Sequence, residues 1–180
     1  IIHELQIHRT ARYVQKYPAE VWLFKYQHEP DMLYVYTDTD WAADELTRKL
    51  VSCTVEGYGE HMLDCSVAKQ ATVALSSGEA EFYGIVRAAA IGKQTSQILE
   101  QIGMKGRLMI GSDSSAARGM CSRTGSGKVR HLAIKELWVQ EALRNKEFEL
   151  GTIDTLLNWA DVGTKAHASE RLESLVRQMQ

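Results

Sequence analysis

The alternation of hydrophobic and polar positions predicts a sheet of five strands. The most apolar stretch, 33–36, consists of large aliphatic and aromatic residues that suit a packed, pleated surface, and it leads directly to Asp38 and Asp40. The patterning and the turn residues between the segments predict four further strands, at 50–58, 61–75, 107–110 and 148–153. A short apolar run at 21–26 is compatible with an additional edge segment.

Helical periodicity occupies most of the remaining chain. An amphipathic helix is predicted over 1–17, and it has to end before Pro18. Ser76 and Glu79 have the spacing of a capping box and begin a long helix that runs to about residue 103. Small residues recur every fourth position in that helix, which predicts close packing on the sheet: Ala80, Gly84, Ala88 and Gly92. Further helices are predicted at 114–120, at 131–144 and from Asn158 to the end.

This order of elements predicts an α/β fold with a five-stranded mixed sheet and helices packed on both faces. Four carboxylates fall at or near the ends of elements: Asp38, Glu81, Asp113 and Asp161. A carboxylate beside a hydrophobic core is costly unless a cation pairs with it. From the residues alone, that cation is either a basic side chain or a metal ion.

Composition limits the classes of protein without selecting one. The chain has 180 residues, of which 44% are hydrophobic and 24% are charged, as expected for one globular domain with a short appendage. No apolar run approaches the roughly 18 residues of a membrane span, so no membrane association is expected. Cys53, Cys65 and Cys121 form no metal-site or disulfide pattern and are expected to be reduced. A net charge of −2 does not exclude a nucleic-acid partner, because acidic and basic faces can coexist.

Three longer motifs are more specific than composition. They are Tyr36-Thr-Asp-Thr-Asp-Trp-Ala42, Thr72-Val-Ala-Leu-Ser-Ser-Gly-Glu-Ala-Glu-Phe82 and Ala160-Asp-Val-Gly-Thr-Lys165. In this order they resemble the ribonuclease H domain of copia-type LTR retrotransposon polyproteins. The resemblance places that domain at 31–180, and it assigns 1–30 to the end of the reverse-transcriptase connection.

The resemblance implies a ribonuclease H-like fold and a two-metal endoribonuclease that cuts the RNA strand of RNA/DNA hybrids. It implies that Asp38, Glu81, Asp113 and Asp161 are both the catalytic residues and the ligands of two Mg²⁺ ions, with Mn²⁺ as a substitute. The implied partners are an RNA/DNA hybrid and the upstream reverse transcriptase, and the implied location is cytoplasmic, in a retroelement particle, or nuclear. The sequence departs from the family at Leu50-Val-Ser-Cys53 and Ala133, and no histidine lies between His131 and Asp161.

Two groups of residues are candidates for contacts to the substrate. Hydroxyl or backbone groups beside the acids could read 2′-hydroxyls, and these are Ser76, Ser77, Gly78 and Ser115. A basic segment could bind phosphates, and its candidates are Arg123, Lys128, Arg130 and His131. The alternative for this basic segment is a solvated loop and helix end.

Two alternative functions remain open, and two residues near the predicted acids, Glu79 and Trp41, are interpreted as structural. One alternative function is a nucleic-acid-binding remnant of the same fold without catalysis, and another is a related metal-dependent DNA nuclease. Glu79 lies two residues before Glu81, about 200° around the helix, and is interpreted as a capping residue. Trp41 is interpreted as a core residue rather than a platform for a base.

Overall fold

The computed structural model describes residues 2–19, 21–41, 50–70, 72–127 and 136–179. The chain begins with helix α1 (Ile2–Lys16) and continues through strands β1 (Met32–Asp40), β2 (Val51–Tyr58) and β3 (His61–Lys69). Helix α2 (Ser77–Gln101), strand β4 (Arg107–Ser112), helix α3 (Ser115–Ser122), helix α4 (Trp138–Arg144) and strand β5 (Glu149–Thr152) follow. Two 3-10 helices (Thr155–Leu157 and Trp159–Gly163) and helix α5 (Ser169–Gln178) complete the described chain.

The five strands form one mixed sheet in the order β3-β2-β1-β4-β5. The three consecutive strands β1, β2 and β3 pair antiparallel, and the two-residue turn Gly59-Glu60 joins β2 to β3. Strand β4 pairs parallel with β1, with Leu33 opposite Leu108 and Val35 opposite Ile110, and β5 pairs parallel with β4. Because β1 and β4 are parallel neighbours, the residues that follow their carboxyl ends lie at one edge of the sheet.

Each face of the sheet carries its own hydrophobic core. Leu33 and Val35 are fully buried on the face covered by α2, α3 and α4. The opposite face packs Val55 and Tyr36 against the second 3-10 helix and α5, and the rings of Tyr36 and Trp159 lie 5.1 Å apart, edge to face. The predicted α/β fold, a five-stranded mixed sheet with helices packed on both faces, is confirmed.

The small residues of α2 lie against the sheet, as their spacing predicts. A Cβ atom on Gly84 would lie 2.7 Å from Thr39 Oγ1, and one on Gly92 would lie 2.8 Å from Val35 Cγ2. Because neither contact leaves room for a side chain, glycine at these two positions allows the helix to lie on β1. This contact fixes the position of the amino-terminal turns of α2 beside the end of β1.

Several boundaries differ from the sequence-based predictions. Residues 21–30 form no strand, and the prediction of an edge strand at 21–26 is wrong. The side chain of Gln27 holds this segment instead, because it donates to Tyr58 O and accepts from Glu60 N at the β2–β3 turn. Strand β1 extends to Asp40 and β3 ends at Lys69, while the final helical region begins as 3-10 turns.

Two further predictions concern single elements. The side chain of Trp41 is 51% exposed, so the interpretation as a core residue is wrong; its position just beyond the end of β1 leaves it at the surface. Helix α4 begins at Trp138, and the predicted helical residues 131–135 lie outside the described residues. Within the described part of the chain, no helix is both long and apolar enough to cross a membrane.

Candidate active site

The four predicted acids come from four different elements. Asp38 lies in the carboxyl-terminal half of β1, and Asp113 lies one residue beyond the end of β4. Glu81 is in the second turn of α2, on the side of that helix that faces β1. Asp161 belongs to the second 3-10 helix, which covers the opposite face of the sheet.

Three of these acids converge on one point. One carboxylate oxygen from each of Asp38, Glu81 and Asp113 lies within 4.8 Å of the other two. Asp161 does not belong to this group of three. The structure therefore divides the predicted set of four into a carboxylate triad and a fourth acid beside it.

Glu81 is the member of the triad that is most poorly satisfied. Its Oε2 atom is buried and has no hydrogen-bond partner among the described residues. Burial, followed by the negative charges of Asp38 and Asp113, raises the pKa of Glu81 to about 8. A cation between the three carboxylates would relieve both the repulsion and the missing contact.

Lys165, for which the sequence predicted no role, contacts both Asp38 and Asp161. Lys165 Nζ lies 3.2 Å from Asp38 Oδ1 and 2.8 Å from Asp161 Oδ1. Thr164 donates its hydroxyl to the other oxygen of Asp38. Burial raises the pKa of Asp38, while the bond from Thr164 and the charge of Lys165 oppose that effect. Both aspartates are almost fully buried, so the ammonium group satisfies two charges that water reaches poorly.

Contacts around the acids fix their positions. Arg171 Nη2 lies 3.4 Å from Asp161 Oδ2, and Thr155 donates to Asp113 Oδ2 at 3.0 Å. His167 is a further neighbour, because its Nε2 donates to the carbonyl oxygen of Asp161 at 2.8 Å. In this chain a histidine therefore lies against the last acid from its carboxyl-terminal side.

Glu79 has a structural role, as its position predicts. Its Oε2 accepts from Leu75 N and its Oε1 accepts from Tyr83 Oη, while Ser76 Oγ accepts from Glu79 N. The side chain is 1% exposed and faces away from the triad. The predicted N-cap at Ser76 is confirmed, and the reciprocal bond of the box is shifted by one residue, because Glu79 accepts from Leu75 N rather than from Ser76 N.

The residues predicted to contact substrate are distributed around this site. Ser76 is the amino-terminal cap of α2, and Ser77 and Ser115 are exposed in the first turns of α2 and α3. Gly78 lies where these two helices meet, since a Cβ atom there would be 3.0 Å from Ala116 Cβ. Their contacts to substrate remain predictions.

The basic segment is described only in part. Arg123 donates to Ser126 O, and its guanidinium lies against Gly127, so its side chain closes its own loop. Lys128, Arg130 and His131 lie outside the described residues. The phosphate-binding role of this segment remains a prediction.

Sequence reasoning identified the acids but missed the residues that orient them: Asn158, Thr155, Thr164, Lys165 and Arg171. Two of these, Thr164 and Lys165, lie inside a quoted motif, so their motif positions were a usable signal. Thr155 and Arg171 lie outside the three motifs, and only the tertiary structure brings them to the acids.

The comparisons with known proteins found similar backbones among solved structures, all at low sequence identity. No protein-family model matches the sequence, and a comparison with curated proteins found no match. Among solved structures, the N-terminal RNase H domain of Rv2228c from Mycobacterium tuberculosis is 15% identical, with 83% of this chain and 99% of that chain covered and a TM-score of 0.48. LC11-RNase H1 in complex with an RNA/DNA hybrid is 18% identical, with coverages of 70% and 88% and a TM-score of 0.48.

A longer neighbour is the protease-reverse transcriptase of prototype foamy virus, at 9% identity. It aligns over 86% of this chain and 21% of its own, with a TM-score of 0.43. These similarities concern the course of the backbone, and the functional argument below rests on the site itself.

The residues of the triad fit a divalent cation. Carboxylate oxygens are the hard ligands that Mg²⁺ and Mn²⁺ take in proteins, and three of them are already within 4.8 Å of one another. The unpartnered oxygen of Glu81 is a second, independent sign that a positive charge belongs between these groups.

Proposed function

We propose that this chain is a metal-dependent endoribonuclease that hydrolyses the RNA strand of RNA/DNA hybrids. The observation that carries the proposal is the triad of Asp38, Glu81 and Asp113, whose unpartnered Glu81 oxygen lies in a centre of excess negative charge. Asp38, Glu81 and Asp113 would hold a first Mg²⁺ or Mn²⁺ ion, and Asp38 and Asp161 would hold a second. Bound divalent ions activate water and neutralise charge on phosphoryl oxygens.

The chain's own groups orient this centre. Thr164 holds Asp38 through one oxygen, Thr155 holds Asp113, and Arg171 holds Asp161. Buried or hydrogen-bonded carboxylates lose little entropy when they bind a ligand, because their rotamers are already restricted. The 2′-hydroxyls of an RNA strand would be read by the exposed groups of Ser76, Ser77 and Ser115 and by the backbone of Gly78 beside the triad.

The motifs support a retroelement origin within this proposal. The chain would be the ribonuclease H part of a copia-type polyprotein, working in a cytoplasmic retroelement particle or in the nucleus. Residues 1–30 would then lead from an upstream reverse transcriptase. The end of helix α1 contacts α5, since Lys16 pairs with Glu173 at 3.6 Å and the next residue, Tyr17, donates to the same carboxylate at 2.6 Å.

The test is cleavage of labelled RNA/DNA, RNA/RNA and DNA/DNA duplexes in Mg²⁺ and in EDTA. We expect cleavage of the RNA strand of the hybrid in Mg²⁺, and none in EDTA. Cleavage of DNA duplexes alone would favour the DNA nuclease. Binding of the hybrid without cleavage in any metal would favour the non-catalytic remnant.

Glu81→Gln and Glu79→Gln are a matched pair for the same assay. Both remove one negative charge from the first turns of α2, and only Glu81 belongs to the triad. We expect Glu81→Gln to abolish cleavage and Glu79→Gln to retain it, because the amide oxygen of glutamine at 79 can still accept from Leu75 N while its amide NH2 donates to Tyr83 Oη.

A further inference from the structure

The acids of this centre carry a cation of their own. Lys165 follows Asp161 by one helical turn, with its amide 3.3 Å from the Asp161 carbonyl oxygen, so its side chain lies beside that carboxylate. Its ammonium group reaches across to Asp38 on β1, at 3.2 Å. The two carboxylates are 2% and 5% exposed, against 43% for the lysine side chain.

A metal ion shared by Asp38 and Asp161 would need the space that this ammonium group fills. Lys165 Nζ contacts Oδ1 of both aspartates, and a divalent ion bound to the same two oxygens would lie between them at about 2.1 Å from each. The lysine and the ion therefore compete for the same oxygen atoms. At the triad, Lys165 contacts Asp38 alone among the described acids. Glu81 Oε2 has no partner among the described residues, and Asp113 accepts from the hydroxyl of Thr155 rather than from a cation.

The charges lead to the same conclusion. When all four are ionised, Asp38, Glu81, Asp113 and Asp161 carry four negative charges. Lys165 and Arg171, which contact Asp38 and Asp161, carry two positive charges. The remainder is two negative charges, which one divalent ion neutralises. A second ion would give the centre a net positive charge unless Lys165 moved away or a phosphate group entered.

We propose that Lys165 holds the position of a second divalent ion, so that the free protein binds one ion at the triad and a second ion only by displacing this lysine. The inference rests on the proposed metal-dependent function and adds a residue that sets the stoichiometry of the centre. Lys165 is on this account a positioning residue, which acts on the centre through Asp38 and Asp161.

The experiment is a titration of the full chain with MnCl₂ alone, without nucleic acid, followed by electron paramagnetic resonance and calorimetry. For the unaltered chain we expect one bound Mn²⁺ and a second that binds at least about tenfold more weakly. Lys165→Met should increase the affinity for the second ion by about tenfold or more, because Oδ1 of Asp38 and Oδ1 of Asp161 no longer contact the lysine. The affinity for the first ion should change by less than about threefold.

Two further variants separate position from charge. Arg171→Gln also removes one positive charge beside Asp161, but it leaves Lys165 between the two aspartates. It should increase the affinity for the second ion by no more than about threefold. Lys165→Arg keeps a cation there and should leave the second ion weak. Thermal unfolding of each variant in EDTA identifies any that has lost its fold. Lys165→Arg and the unaltered chain still decide the question if Lys165→Met does not fold.

Several results would overturn the inference. One such result is that the unaltered chain binds two ions with equal affinity. Another is that Lys165→Met binds the second ion no more tightly than the unaltered chain does. A third is that Arg171→Gln increases the affinity for the second ion as much as Lys165→Met does. If such a chain still cleaved the hybrid in Mg²⁺, only the role of Lys165 would be lost. If no Mn²⁺ bound at millimolar concentration, the inference and the metal-dependent function would both fail.

Discussion

The side-chain amide of Asn158 donates to the carbonyl oxygen of Thr37 at 3.3 Å, and its Oδ1 accepts from Ala160 N at 3.2 Å. Asn158 is fully buried, and it joins β1, one residue before Asp38, to the start of the 3-10 helix that carries Asp161. One side chain thus sets the relative position of two acids that are far apart in sequence.

We expect Asn158→Ala to lower the free energy of unfolding by about 1–3 kcal/mol, because it leaves buried backbone groups without their partners. Hybrid cleavage should fall as well, since Asp161 and Lys165 lose their fixed relation to Asp38. Urea unfolding and cleavage rates measure the two effects. Asn158→Asp keeps the acceptor for Ala160 N but replaces the donor by a buried carboxylate oxygen facing the Thr37 carbonyl, so we expect it to be at least as destabilising as Asn158→Ala at neutral pH. Equal stability of Asn158→Ala and the unaltered chain would contradict this account.

Amide substitutions of the four acids should separate catalysis from binding. We expect Asp38→Asn, Glu81→Gln, Asp113→Asn and Asp161→Asn each to lower turnover by more than about 100-fold, since ligands matter more than the groups that orient them. Binding of the hybrid should persist, because we predict the phosphate contacts to lie on the basic segment rather than on the acids. Single-turnover cleavage and an equilibrium binding assay provide the two readouts. A harmless Glu81→Gln beside a damaging Glu79→Gln would show that the wrong face of α2 had been assigned.

The choice of metal should follow coordination geometry. Mg²⁺ and Mn²⁺ are expected to support cleavage, whereas Ca²⁺ is not, because Ca²⁺ takes more ligands at longer distances. Initial rates in each metal, at matched ionic strength, test this. Full activity in EDTA would show that the reaction does not require metal ions.

Glu56 should make stability depend on pH. This side chain of β2 is 3% exposed, and its Oε2 has no partner among the described residues. Burial raises the pKa of Glu56 from 4.5, a hydrogen bond from Thr95 opposes the shift, and the charge of Asp64 on β3 adds to it. The folded chain therefore holds this proton more tightly than the unfolded chain, and stability is lost as pH rises from 4.5 through the folded pKa.

We expect Glu56→Gln to be more stable than the unaltered chain at pH 8 and similar to it at pH 4. Urea unfolding at a series of pH values, in EDTA, measures the difference. The raised pKa values of Asp38 and Glu81 also make stability fall as pH rises. Only the part of the slope of unfolding free energy against pH that Glu56→Gln removes is therefore due to Glu56. An unchanged slope in that variant would show that Glu56 is ionised in the folded chain.

Binding of the isolated chain to the hybrid should be weak. The net charge is −2, and each neutralised phosphate contributes about 0.9 to the slope of log K against log salt on duplex DNA. Attaching the upstream polymerase, or a separate hybrid-binding module, is expected to lower KM far more than it changes kcat, because it raises the local concentration of substrate. Steady-state kinetics of the fused and isolated chains test this.

Charge reversal at Lys128 and Arg130 should raise KM in the isolated chain. Arg123→Glu is a different case, because the guanidinium of Arg123 closes the loop at Ser126 and Gly127, and loss of stability is expected beside any loss of binding. Kinetics together with thermal unfolding distinguish the two effects. A KM that none of these changes affects would place the hybrid on another surface.

The sequence by itself determined the sheet, the cap of α2 and the positions of four acids, three of which the structure brings together. These features are local: strand and helix periodicity appears within a few residues, and the Ser76–Glu79 box satisfies backbone groups of its own turn. The 200° separation of Glu79 from Glu81 follows from helix geometry, and the structure places only Glu81 in the triad.

The tertiary structure alone decided how the acids are satisfied. Asp38, Asp161 and Lys165 are one unit because α5 and the second 3-10 helix pack on the face of the sheet opposite α2, which no local pattern encodes. The same packing brings Asn158 to Thr37 across 121 positions of the chain. A pattern of residue types reports which face of an element is buried, but it does not specify the partner. The partner determines whether a buried carboxylate contacts an ammonium group or is left available to a metal ion.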